Sequence, residues 1–223
     1  MTIKTDNVRA DIFHFAGGGE VEEFHVLLQI ENRLLSYEQQ LSSLQKAYDQ
    51  LKSSNLREAH PVLKRYYLSD AANQSNKLAE WENDCADCAI SVVQQPPLNG
   101  TKIALWAYLL TNVQTRVTPS ELFEARHGAY RHLWNGSAHN LAANSEYQTR
   151  LLFNEYIMQL AAEGCTLKDN CVRTWFFVND IDLNYGGVVR ARNQVFFTQG
   201  LTRDTHFIAS TGIGGRAADQ NVL

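Results

Sequence analysis

Four cysteines, no apolar run near the length of a membrane span and no excess of basic charge set the first limits on this 223-residue chain. Crossing a bilayer takes about 20 consecutive apolar residues, and no such run occurs. Met1 to Ala10 is polar and lacks the apolar core of a signal peptide. The expectation is a soluble, cytoplasmic protein with no membrane partner. A formal net charge of −4 leaves no bulk attraction for nucleic acid and at most a local basic patch. Cys85-Ala-Asp-Cys88 has the spacing of a redox pair or half a zinc site, but Cys165 and Cys171 do not supply a matching second half. All four read as ordinary thiols of a reducing compartment. No Gly-Lys-Ser/Thr follows Gly17-Gly18-Gly19, so the triplet reads as a turn rather than a phosphate cradle. No serine sits in a nucleophile elbow, which removes the usual serine-hydrolase triad.

What is there is ordinary for a folded chain: 44% hydrophobic and 20% charged residues, enough for one large domain or two small ones. Ile12 to Phe15 and Phe24 to Leu28 are strand-like and flank the glycine turn. From Tyr37 to Leu51 the apolar positions 41, 44, 47, 48 and 51 recur at helical spacing. Val62 to Leu68 is an aromatic-rich strand, Asn73 to Asn83 a helix, Ile90 to Gln94 a strand, Pro96 to Gly100 a turn, and Ile103 to Tyr108 a strand. The order is ββαβαββ.

Residues 112–128 read as a polar linker in which Thr118-Pro119-Ser120 starts a helix. The pattern then begins again. Ala129 to Trp134 reads as a strand ending at the hairpin-type turn Asn135-Gly136. Glu146 to Ala162 is a helix with Leu151, Leu152, Tyr156, Ile157 and Leu160 on its apolar face. A strand from Val172, a helix over Tyr185 to Phe197 and a strand from Thr205 follow.

The two halves align without gaps over their centres: 62 − 37 and 172 − 147 are both 25, pairing Tyr37 with Tyr147 and Val62 with Val172. Tyr66-Tyr67-Leu68-Ser69-Asp70 then falls on Phe176-Phe177-Val178-Asn179-Asp180, and each Asp is placed to cap a turn. This reads as an internal duplication: unit one over 1–111, a linker over 112–128, and unit two over 129–223. The second unit, ending soon after Thr211-Gly212-Ile213-Gly214-Gly215-Arg216, has no strand to match Ile103–Tyr108. The expectation is that a partner, or chain beyond Leu223, supplies that edge.

The ββαβαββ unit and its patterning resemble the YjgF-like, or reactive-intermediate deaminase, family, whose older label is endoribonuclease L-PSP. The second half resembles the N-terminal domain of the chorismatases through Arg173-Thr174-Trp175, Asp180, Tyr185, Arg192 and Ala209-Ser210-Thr211-Gly212. The resemblance implies an α/β (α+β) fold of tandem YjgF-like, chorismate-mutase-like units, with a mixed sheet and helices on one face. It also implies a trimer-like assembly or a further C-terminal domain. The family's carboxylate-gripping arginine, at the start of the strand after the second helix, falls near Ile90 in the first half. In the second it falls at Asp204, with Arg203 one residue out of register, and a one-residue slip turns a strand residue to the other face.

By that resemblance the chain is the N-terminal part of an enzyme acting on a small carboxylate of chorismate type with release of pyruvate. A catalytically silent ligand-binding or structural module is the alternative, favoured by the missing arginine. No metal or organic cofactor is implied. Arginine suits a carboxylate because its planar fork pairs with it bidentately. Arg192 is the preferred anchor, with Tyr185 seven residues earlier and so about two turns away on the same helix face. Arg173 is a second anchor, and Arg203 and Thr211 complete the substrate-binding set. Arg190 and Arg192 read equally as solvated helix surface, Trp175 to Phe177 and His206 as core, and Thr211 as a strand end.

Overall fold

Alternating apolar residues on either side of a glycine turn dictate a hairpin, and the chain makes one. In the computed structural model, which describes residues 1–83, 87–142 and 144–218, strands β1 (Thr2–Lys4), β2 (Val8–Ala16) and β3 (Glu22–Ile30) form an antiparallel meander. Gly18 turns the chain at φ 80°, a left-handed backbone that costs glycine no Cβ clash. Helix α1 (Tyr37–Ser53) starts at a capping box in which Ser36 and Gln39 satisfy each other's backbone N–H groups. Strand β4 (Ala59–Leu68), helix α2 (Ala71–Asn83) and strand β5 (Ala89–Gln94) make a parallel pair with a helical crossover. Strand β6 (Ile103–Thr111) enters between β3 and β4, antiparallel to both. The mixed sheet therefore runs β1-β2-β3-β6-β4-β5, and the expected ββαβαββ order is present behind the short β1.

Both helices cover one face of this sheet. On β4, Lys64 sits over the rings of Tyr48 from α1 and Trp81 from α2. It pairs at 3.1 Å with Glu82, which also accepts the Tyr66 hydroxyl. Val26, Leu28, Ile30, Leu44, Leu105 and Tyr66 fill the layer between sheet and helices.

The linker reading over 112–128 is corrected. Strands β7 (Gln114–Val117), β8 (Phe123–His127) and β9 (Tyr130–Trp134) form a three-stranded antiparallel sheet. Thr118 closes the β7–β8 turn instead of starting a helix: its backbone N–H donates to the Leu122 carbonyl at 2.8 Å, and its hydroxyl accepts from the Leu122 N–H at 3.2 Å. Phe123 and Ala125, two apart, bury against Leu63, Tyr108 and Leu110 of the large sheet, so a period of two decides the segment.

The strand expected to open the second half is thus β9, paired to β8. The compact units are Met1–Ser137 and Ala138–Leu223, and not 1–111 and 129–223 around a linker. Gly136 closes no hairpin. A Cβ there would stand 2.4 Å from the Ile90 carbonyl oxygen, so glycine permits close passage along β5.

The second unit holds α3 (Ser145–Ala162), a short α4 (Leu167–Asn170) that periodicity did not reveal, β10 (Arg173–Val178), α5 (Ile181–Thr198) and β11 (Ala209–Gly214). Asn144 caps α3 by accepting the Tyr147 N–H. Strands β10 and β11 are parallel around α5. Phe153, Leu160, Leu167, Val195, Phe196 and Leu201 form the core, so α3 buries a stripe centred on Phe153 and Leu160. The 110-residue offset holds from the end of β4 to that of β10 (178 − 68) and from the start of α2 to that of α5 (181 − 71). It then grows to 120 at β5 and β11 (209 − 89), because α5 is five residues longer and a loop follows it. Among the described residues, no helix is long and apolar enough to cross a membrane.

Candidate functional site

The register of β10 and β11 decides which of the candidate residues meet. Arg173 is paired with Ala209, Trp175 with Thr211 and Phe176 with Gly212. Successive residues of a strand point to opposite faces. Phe176 goes to the helices, where its ring lies 5.6 Å from that of Phe153. Gly212 goes the same way, with the Tyr185 ring of α5 packed so closely that a Cβ would be 2.5 Å from it. Arg173, Trp175 and Thr211 therefore project from the face away from α5.

On that face they form a unit. The Arg173 guanidinium lies 4.9 Å over the Trp175 ring and donates from Nη2 to the Thr211 hydroxyl at 2.9 Å. Among the described residues no carboxylate pairs with Arg173. One edge of a guanidinium stacked and tethered in this way stays able to grip an anion.

Tyr185 and Arg192 sit on the helix side. Arg192 donates from Nε and Nη2 to the Oδ1 of Asn193 and lies 5.9 Å from the Phe196 ring centre. The strand places Arg173 and Thr211 on one side and Tyr185 on the other, so the five expected residues do not form one pocket. The strand reading around Arg203 is corrected: β11 begins at Ala209 and not at Thr205, which leaves Arg203 on an exposed turn with no strand face to slip from. That turn is held by Thr205, whose hydroxyl donates to the Gly200 carbonyl.

Two of three neighbouring readings change. Arg190 is an exposed helix-surface residue, as read, but it pairs at 2.8 Å with Glu146 and so ties α5 to α3. His206 is exposed rather than core, with Nε2 2.8 Å from the Lys168 carbonyl oxygen. Asp180 takes a left-handed backbone at φ 44° and makes no side-chain cap, whereas Asp70 accepts from Asn73 at 2.6 Å.

Among the thiols, Cys85 lies outside the described residues. Cys88 is buried and its thiol is pushed up to about 12 by burial. Burial also raises that of Cys171, while Cys165 is half-buried. Thiols held protonated are poor nucleophiles and poor ligands.

Sequence reasoning missed a polar and aromatic cluster in the first unit. His25 of β3 stacks on Tyr108 and Trp106 of β6, with ring centres 4.8 and 5.8 Å away. Tyr108 donates its hydroxyl to Glu23 at 2.9 Å, and burial raises the Tyr108 pKa above its ordinary value. Beyond them, His127 and His132 bring their Nε2 atoms within 3.0 Å. The available signal was the period-two pattern on both sides of Gly128. Among the described residues no three His, Cys, Asp or Glu side chains converge as a metal-binding group. No family model, curated protein or solved structure matches this chain.

Proposed function

We propose that the chain consists of tandem YjgF-like units and binds a small carboxylate metabolite of chorismate type, as the N-terminal part of a chorismatase-like enzyme. The observation that carries the reading is Arg173, stacked on Trp175 and tethered by Thr211, with no carboxylate partner among the described residues. Support for the tandem units comes from the ββαβαββ order of the first unit and from the αβαβ run of the second. Arg173 replaces Arg192 as the principal anchor, because Arg192 already spends two donors on Asn193. A second reading, a silent ligand-binding module, is favoured by the placement of Tyr185 on the opposite face of β11 from Thr211. Among the described residues, Arg173 contacts Trp175 and Thr211, and neither is an acid.

Calorimetric titration of chorismate into the chain and into its Arg173→Ala variant tests the proposal. Loss of a charge-assisted bidentate contact is worth about 1.5–3 kcal/mol, or about a 10- to 100-fold weaker Kd. Equal heats from both proteins, or none from either, would overturn it. Pyruvate released during the titration would favour the enzyme over the silent module.

A further inference from the structure

We propose that His127 and His132 form a binding site for a divalent transition metal on the small sheet of the first unit. The ladder pairs His127 with Tyr130 and Ala125 with His132, so the two histidines are diagonal neighbours across β8 and β9. Diagonal cross-strand positions lie within reach of long and aromatic side chains. The turn between them has only two residues, Gly128 and Ala129, with Gly128 at φ 52°. A two-residue loop fixes the register and holds both imidazoles on a rigid ladder.

The distance between the ring nitrogens carries the argument. The Nε2 atoms are 3.0 Å apart. With metal–nitrogen bonds of about 2.0–2.1 Å, two ligands at a right angle stand about 2.9 Å apart and two at a tetrahedral angle about 3.4 Å apart. The observed spacing suits adjacent positions of a square or octahedral ion, which points to Cu²⁺ or Ni²⁺ ahead of tetrahedral Zn²⁺. The same spacing serves a hydrogen bond between two neutral rings, so the metal-free pair is already satisfied.

Glu23, held by the Tyr108 hydroxyl, is close enough to act electrostatically on His132, and Tyr130 flanks His127 at 5.7 Å between ring centres. The guanidinium groups of Arg116 and Arg131 both pair with Glu124, at 3.1 and 2.5 Å. With two protein ligands, the remaining positions fall to water or a small anionic ligand.

Titration of Cu²⁺ into the tag-free, chelator-stripped chain tests the site, followed by calorimetry and electron paramagnetic resonance. One equivalent should bind with a two-nitrogen signature. His127→Ala and His132→Ala should each weaken binding about 10-fold or more, as expected when one arm of a chelate is lost. His206→Ala, on the second unit, should not change it. Where an alanine variant does not fold by circular dichroism, the glutamine variant at the same position replaces it. Equal affinity in wild type and in folded His127 and His132 variants would overturn the proposal, as would absence of binding to the wild type.

Discussion

At the scale of single residues, two buried carboxylates among the described residues, Glu82 and Glu124, are held by basic partners. Lys64 and Glu82 are each 4% exposed and meet under the helices, with Tyr66 donating to the same carboxylate. Removing one partner of such a pair leaves an uncompensated charge. Glu82→Ala is expected to cost about 3–5 kcal/mol in urea unfolding, and Lys64→Met with Glu82→Leu to recover most of it. Glu124 is the second of them. Hydrogen bonding to Arg116, with Arg131 beside it, holds its carboxyl below the usual range. Its stabilising contribution is then full above the unfolded value of 4.5 and fades as pH falls through the lower folded value. Glu124→Gln should be less stable than wild type by about 1–3 kcal/mol at pH 7, and the gap should close in acid. A gap unchanged at pH 3 would contradict the pairing. Neither pair was legible in the sequence, since Lys64–Glu82 joins residues 18 apart through the sheet–helix layer.

At the scale of elements, the sequence was most informative where one period dominated. The hairpin β2–β3, helix α1, strands β4 to β6 and the crossover helix α2 all fall where alternation or helical spacing places them. Reading failed where a short polar stretch hid strands. The segment with Thr118-Pro119 mimics a helix start, but β7 and β8 win because Phe123 and Ala125 find apolar surface on the large sheet. No local signal revealed that surface. The same limit applies to Arg203, whose strand assignment presumed the first half's helix length, whereas α5 runs five residues longer than α2. Contact between α3 and α5 depends on Gly187, where a Cβ would stand 2.2 Å from the Ser145 hydroxyl oxygen and 2.8 Å from the Glu146 nitrogen. Backbone cannot yield as a side-chain tip can. Gly187→Ala is expected to lower stability by about 1–3 kcal/mol despite its better helix propensity, read as a lower denaturation midpoint. An unchanged or raised midpoint would mean that the helices do not meet there.

At the scale of the whole molecule, the chain divides into units over 1–137 and 138–223, and each has its own core. The division was half legible. The 110-residue offset shared by the ends of β4 and β10 and the starts of α2 and α5 runs across it, but β9 looks like the start of the second half while pairing with the first. The candidate site was legible as residue types and not as a constellation. Arg173 and Thr211 meet because β10 and β11 are parallel in one register, and that register depends on the length of the loop after α5. The proposed carboxylate grip lies on the face of β11 away from its helix, at Arg173 and Thr211. The most direct measurement is a chorismate titration followed by side-chain and backbone NMR shifts of the whole chain. Saturable shifts are expected at the Arg173 Nε–H, the Trp175 indole N–H and the Thr211 amide. Shifts confined to Tyr185 and Arg192, or none at saturating ligand, would contradict the proposed grip.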